Sequence, residues 1–265
     1  MADRVLEANE LSFAYSGSRT LFDGLSFGLD RGEIFVILGA NGAGKSTLLS
    51  ILSGLLRPCR GSVSLNGRSI ASLSPKQTAR ELGFVPQVHE NAFGFSVRDY
   101  LVMGRAMYLD FGRQPGREEY ERADAVMERL NIVKLAEKSY NELSGGERQQ
   151  VTIGRALVQD AGIILLDEPT NHLDFGNQQQ ILELILSLSE EGRTVLLTTH
   201  QPDHAIILGG RVGVLGAGGD FETGTAEEMI TQEKMSRLYG IDLRVFESDK
   251  LGRRICAYAP MKGGR

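Results

Sequence analysis

The 265-residue chain has only two cysteines, Cys59 and Cys256, far apart and outside any CxxC spacing. That excludes a disulfide framework and a cysteine-built zinc site, and it fits a reducing compartment. There is no basic excess: 29 Lys and Arg against 34 Asp and Glu leave a formal charge of -5, so no field draws the chain non-specifically onto nucleic acid or anionic lipid. No run approaches the roughly 18 apolar residues of a membrane span. The opening MADRVLEANELSF places acids where a signal peptide needs a basic start and an apolar run. Contact with a membrane is therefore expected to be indirect. No internal repeat is visible. What is present is 42% hydrophobic residues, enough at this length for a substantial core in one domain or two.

Short β-prone runs alternate with helical segments, the order expected of an α/β fold with a parallel sheet flanked by helices. Residues 1 to about 35 differ. There VLEANELSFAY and LFDGLSFGLDRGE, joined and closed by GSR and DRGE turns, predict an antiparallel β subdomain. The parallel core begins at Ile34. From about Val88 to Asp160 the pattern turns helical, with Tyr120, Ala123, Met127 and Leu130 recurring at steps of three or four, and a helical insertion is expected. IILLDEP and TVLLTTH then read as buried central strands on either side of a helix in QQQILELILSLSEEG. AEEMITQEKMSRLYG predicts one short amphipathic helix, and the segment beyond it carries no assignable chemistry.

The stretch GANGAGKST, Gly39 to Thr47, matches GxxxxGK(S/T) at Gly39, Gly44, Lys45 and Ser46, between the apolar run Ile34 to Leu38 and the leucine-rich LLSILSGLL. Strand on one side and helix on the other is the context that makes this motif a phosphate loop. Its glycines let consecutive N–H groups face inward above the positive end of the helix, so Gly39, Asn41, Gly42, Gly44 and Thr47 are candidates for nucleotide binding. Lys45 would reach the β- and γ-phosphates, and the Ser46 hydroxyl would ligate magnesium. A second site supports the first. Ile163 to Leu166 form a strand ending in Asp167 and Glu168, at the carboxyl end where ligands bind in such sheets. Asp167 is placed to hold magnesium, directly or through water, and Glu168 to polarise the water that attacks the γ-phosphate.

LSGGERQQ, Leu143 to Gln150, opens another helix with a serine and two glycines, a second helix end able to read phosphate. One chain rarely presents two such ends to one γ-phosphate from opposite sides, so a second subunit arranged head to tail is implied. With these motifs in this order, the chain resembles the ATP-binding cassette ATPases, the nucleotide-binding subunits of ABC transporters, over about residues 4 to 240. LSGGE is similar to their signature, with Glu147 where glutamine is more usual. The resemblance implies a P-loop core over 1–240, a helical subdomain at about 88–160 and a C-terminal tail at 241–265. It implies that Tyr15 stacks on adenine and that Gln87 in FVPQ is the switch glutamine, serving both catalysis and magnesium. Asp174 in NHLD matches the dimer-contact loop, and His200 the switch histidine. Ser144, Gly145 and Gly146 would grip the nucleotide held by the partner. As lone residues, Tyr15 also reads as packing, like Phe13, and His89, His172 and His204 read as structural.

The function so implied is a magnesium-dependent ATPase, with ATP and Mg2+ bound between two cassettes that close on nucleotide and reopen on hydrolysis. SVRDYLVMGR and NHLDFGNQ look most like importers of metal chelates, the subfamily carrying iron siderophores, haem, cobalamin and, in some members, molybdate. Expected partners are two copies of a membrane-spanning permease and a periplasmic or lipid-anchored binding protein, with the cassette homodimer on the cytoplasmic face of the inner membrane and no nucleic acid. Residues His89 to Tyr100 either form the groove that receives the permease or, through Phe93, Phe95 and Tyr100, pack the insertion. The alternative is a soluble cassette that remodels an assembly, of the iron–sulfur cluster type. A plain kinase would have no use for LSGGE or for His200.

Overall fold

The structure is a computed structural model that describes residues 3–16, 20–87, 94–110 and 112–259. In chain order, the antiparallel strands β1 (Arg4–Ala14) and β2 (Thr20–Asp30) lead into β3 (Ile34–Leu38) and α1 (Lys45–Leu52). Then come β4 (Arg60–Leu65), β5 (Arg68–Ser69), α2 (Pro75–Glu81) and β6 (Leu82–Val85). The insertion holds α3 (Val97–Val102), α4 (Arg117–Arg129) and α5 (Gly145–Val158). The chain returns through β7 (Ile163–Asp167), α6 (Phe175–Glu190), β8 (Thr194–Thr199), α7 (Pro202–Leu208), β9 (Arg211–Leu215) and β10 (Phe221–Thr225). It ends in α8 (Ala226–Met229), α9 (Gln232–Tyr239) and the strands β11 (Leu243–Ser248) and β12 (Arg253–Tyr258).

Among the described residues the strands form a four-stranded sheet β2-β1-β4-β5, a six-stranded sheet β10-β9-β3-β8-β7-β6 and a hairpin β11-β12. In the six-stranded sheet every pairing from β9 to β6 is parallel and only β10 runs against its neighbour. All residues of β3, β7 and β8 are buried, which is why these strands read as continuous apolar runs without alternation. Leu48, Leu49, Ile51 and Leu52 of α1 fill the space between the two larger sheets, against Leu6, Leu11 and Phe22 of the antiparallel sheet and Phe35 and Ile37 of β3. The opposite face of the parallel sheet is covered by Ile153 and Leu157 of α5, Ile181 and Ile185 of α6, and Ala205 and Leu208 of α7. The insertion has its own core around Val97, Leu101, Ala123, Met127 and Tyr140. Truncating one of the fully buried leucines to alanine removes packing worth about 2–5 kcal/mol.

The segment 225–239 is two helices where the sequence pattern suggests one. Thr225 caps α8 with a reciprocal box to Glu228, and Thr231 caps α9 by accepting from the Lys234 N–H. A second cap six residues after the first starts a separate helix.

The start of α7 is pinned from within. His204 is 4% exposed, with Nδ1 3.1 Å from the Thr170 hydroxyl of the turn after β7. Burial lowers its pKa from 6.5 to about 4. Between those values the unfolded chain binds the proton and the folded chain does not. Stability from this group is therefore complete above pH 6.5 and is lost as the pH falls towards 4, by roughly 3 kcal/mol at most. Melting temperatures from pH 7 to 4.5 are expected to fall more steeply in the wild type than in His204→Gln; parallel curves would remove His204 as the source.

Candidate active site

The parallel sheet brings its carboxyl ends to one edge, and four connections leave from that edge: the glycine loop after β3, Gln87 after β6, Glu168 after β7 and His200 after β8. Register places Leu38 beside Thr199 and Asp167 beside Thr198, so these connections start at one level. A cleft of about 560 Å3 opens there, lined by Tyr15, Asn41, Gly42, Gly44, Lys45, Ser46, Thr47, Gln87, Glu168, His172 and His200 among others.

The loop needs its glycines for two different reasons. A Cβ on Gly39 would lie 2.8 Å from the Leu215 carbonyl oxygen, and Gly42 and Gly44 take φ of 80° and 101°, where side chains are strained. Gly44 caps α1 with no side-chain bond, so the first-turn N–H groups are left for a bound anion.

At the centre is a buried chain of charges. Lys45, 6% exposed, donates from Nζ to the carbonyls of Gly39 (2.8 Å) and Ala40 (3.2 Å) and lies 3.0 Å from Glu168 Oε1. The other carboxylate oxygen, Oε2, is 2.8 Å from His200 Nδ1. Burial pushes the Glu168 pKa up, but the His200 bond and the Lys45 charge outweigh it and hold the carboxyl below its ordinary value. Its neighbour behaves oppositely: burial raises the Asp167 pKa, against hydrogen bonds from Ser46 and Thr198. Two adjacent carboxyls are thus pushed apart in acidity by their surroundings, the pattern of sites that divide labour between carboxylates.

Thr198, fully buried, connects the two. Its hydroxyl donates to Asp167 Oδ1 (2.7 Å) and accepts from the Glu168 N–H (2.9 Å). That bond helps hold Glu168 at φ 49°, a left-handed backbone that a residue with a side chain seldom adopts. No motif points to Thr198. The available signal is the three threonines of the strand TVLLTT, whose buried hydroxyls must find partners.

Ser46 and Asp167 are hydrogen-bonded to each other, which sets two hard oxygen donors side by side. Among the described residues no cluster of three or more His, Cys, Asp and Glu could hold a metal ion. Two hard oxygens side by side are a donor set that could hold magnesium, which takes one or two protein oxygens and completes its shell with water and phosphate. At the outer end of the cleft Tyr15 is 51% exposed, edge-on to the buried Phe13, with its hydroxyl 3.0 Å from Thr47 Oγ1. An exposed ring beside the phosphate loop is free to stack on a base, whereas Phe13 packs.

Other residues stand apart. Ser144, Gly145 and Gly146 do not line the cleft; they open α5, where Ser144 and Glu147 form a reciprocal cap and Ser144 and Gly145 are exposed. Asp174 caps α6 by accepting from the Asn177 N–H, and the next residue, Phe175, is 91% exposed. His172 is exposed at the cleft rim. His89 and Phe93 lie outside the described residues. Tyr100 is 7% exposed and stacked on Tyr140, so it packs the insertion and cannot line a docking groove; Phe95, 42% exposed, remains available. A larger cleft of about 710 Å3, between the insertion and α6, contains no phosphate-loop residue and none of the buried charges.

This arrangement has close relatives. The family model described as ABC transporter matches residues 22–171. The molybdate import ATP-binding protein MolC of Haemophilus influenzae is 34% identical over 242 residues, 91% of this chain and 90% of that one. The iron(3+)-hydroxamate import ATP-binding protein FhuC of Bacillus subtilis is 33% identical over 253 residues, 95% and 93% of the two chains. A solved metal-chelate type ABC transporter in an inward-facing conformation superposes with a TM-score of 0.84 at 31% identity, covering 96% of this chain and 97% of that one. The chain therefore belongs to the ABC transporter family, as an ATP-binding subunit. It is an ATPase coupled to transport.

Thr198→Val keeps the shape and removes both hydroxyl bonds. It is expected to lower kcat by about ten-fold or more with KM for ATP little changed, as for a group that positions reacting residues. An unchanged steady-state ATPase rate would show that Thr198 does not set the carboxylates.

Proposed function

We propose that this chain is the ATP-hydrolysing subunit of an importer for a metal chelate or an oxyanion such as molybdate, held at the cytoplasmic face of the cell membrane through a permease. The observation that carries the ATPase mechanism is the separation of two phosphate-reading elements. Lys45, Glu168 and His200 meet in the cleft, while Ser144 and Gly145 are exposed, and Gly146 partly so, elsewhere on the same chain. Each half lacks what the other exposes, so a head-to-tail pair of chains completes two sites. The cargo class rests on the likeness to MolC, FhuC and the metal-chelate transporter, each matched over nearly its whole length. No observation favours the remodelling alternative.

In this mechanism the loop N–H groups cradle the phosphates of ATP and Lys45 transfers its charge from Glu168 to the β- and γ-phosphates. Glu168, released from Lys45 but still bonded to His200, orients the attacking water and takes its proton. The water oxygen bonds to the γ-phosphorus as the bond to the ADP oxygen breaks. His200 and Gln87 contact the γ-phosphate and the water, and Ser144 of the second chain closes the site. Ser46 and Asp167, with Gln87, would hold magnesium, which would supply a hard positive charge to offset the negative charge of the phosphates. Release of phosphate removes the contacts that bridge the halves, and the pair reopens.

The permease needs an apolar seat. Leu55 is 70% exposed at the end of α1, beside a cleft of about 300 Å3 lined by Ile70, Leu73, Leu82 and Phe84. We place the permease contact there, with Phe95 nearby in function, in preference to the buried Tyr100.

Two experiments test the reading. Glu168→Gln is expected to bind ATP as tightly as the wild type or more so, to lower turnover by at least about 100-fold and to accumulate as a dimer on size exclusion with ATP; wild-type turnover would remove Glu168 from the chemistry. Co-expression with a membrane permease encoded by a neighbouring gene is expected to yield a complex whose ATPase rate rises in lipid. Leu55→Asp should abolish the co-purification while leaving the ATPase of the free subunit intact. A complex that survives this substitution would move the contact elsewhere.

A further inference from the structure

The C-terminal element, α9 with the β11-β12 hairpin, grips the connection that carries His200. Tyr239, the last residue of α9, donates its hydroxyl to the His200 carbonyl at 2.8 Å, across 39 residues of sequence. Three residues beyond His200, Asp203 in the first turn of α7 accepts from Arg253 Nη1 (3.1 Å) and from the Cys256 N–H (3.4 Å), both on β12. Leu243, Val245 and Cys256 pack into the same core cluster as α6 and α7, and so anchor the element that makes these bonds. Burial raises the Tyr239 pKa, so the phenol stays a donor. Within the connection itself, the Gln201 N–H donates to Thr199 Oγ1 at 3.1 Å. The peptide between His200 and Gln201 is thus held from both sides, and Tyr239 supplies the only one of these bonds that reaches the His200 carbonyl from another element.

We propose that Tyr239 is a positioning residue for His200, and that through it the C-terminal element sets the rate of ATP hydrolysis. The proposal rests on the reading of His200 as a group at the γ-phosphate. The carbonyl belongs to the same residue as the imidazole, and the imidazole holds Glu168 Oε2 at 2.8 Å. Rotation of an unheld peptide plane would therefore shift the histidine and the carboxylate together. Displacements on the order of 1 Å in such groups cost up to about 100-fold in rate. Tyr239 touches neither the phosphate loop nor the base side of the cleft, so nucleotide affinity should be spared.

Tyr239→Phe removes one oxygen atom and keeps the packed ring. The purified variant is expected to show kcat lowered by about ten-fold, KM for ATP within about two-fold of the wild type, and a melting temperature within a few degrees. A tie that merely stabilised the fold would lower the melting temperature and leave kcat per folded molecule intact. His200→Ala, assayed in parallel, separates the two levels of the argument. Wild-type kcat in Tyr239→Phe beside a depressed kcat in His200→Ala overturns the positioning role alone. Wild-type kcat in His200→Ala overturns the reading of His200 on which that role depends. A rise in KM with unchanged kcat in Tyr239→Phe would place the tyrosine in binding and likewise overturn the proposal.

Discussion

The ion pair between Lys45 and Glu168 governs the organisation of the site, because neither charge is tolerable alone where it sits. Both side chains are about 5% exposed. An isolated ion in such a place costs several kcal/mol in lost hydration, and removal of one partner leaves the other uncompensated. Glu168 meets this by accepting from Lys45 and His200, and Lys45 by donating also to two loop carbonyls. A triphosphate entering the cleft offers Lys45 a stronger partner of the same sign as Glu168. In the proposed mechanism the exchange that binds nucleotide is also the exchange that frees the carboxylate for water, and closure by the second chain then completes the site.

That exchange demands placement finer than loops alone provide. The parallel sheet supplies it: four consecutive parallel pairings deliver the connections that line the cleft from strand ends at one level, and the central strands β3, β7 and β8 are fully buried. The antiparallel sheet and α1 support the phosphate loop from one side, and α5, α6 and α7 support the carboxylates and His200 from the other. The insertion, with a core of its own, carries Ser144–Gly146 at the start of α5. An element with an independent core can move as a body while its outward face stays intact, which suits a surface meant for a second chain.

Legibility in the sequence followed the range of the interaction. Gly39 to Ser46 were readable because their chemistry is local: a loop conformation between a strand and a helix needs those residue types at that spacing. Asp167 and Glu168 were readable from a buried strand that ends in charge, whereas a lone His after a strand says little, and His200 came into view only through the resemblance to the cassette family. The two caps that split α8 from α9 were also written locally, as Thr225 with Glu228 and Thr231 with Lys234, but amphipathic periodicity concealed them. Thr198 and Tyr239 were not readable. Their partners are fixed by strand register and by the return of the chain over α7, and one sequence carries no statement of either. Tyr100 looked the same as Phe95 for the same reason: an aromatic does not declare which face of its helix is covered.

The tail is where the division between scaffold and site breaks down. Arg253 and Cys256 hold Asp203, Tyr239 holds the His200 carbonyl, and His204 holds Thr170 one turn beyond Glu168. Through these bonds α9 and β12 are joined to both strand ends that carry Glu168 and His200. A coupling between a distant surface and a reacting group requires an element whose arrangement both can bias. Under the role proposed for Tyr239, the candidate for such an element is the connection from β8 to α7, which bears His200 at one end and is bonded to β12 through Asp203 at the other. If Tyr239 positions His200 as proposed, a displacement of that hairpin would reach the peptide that carries the imidazole, and it would appear in turnover before it appears in nucleotide affinity.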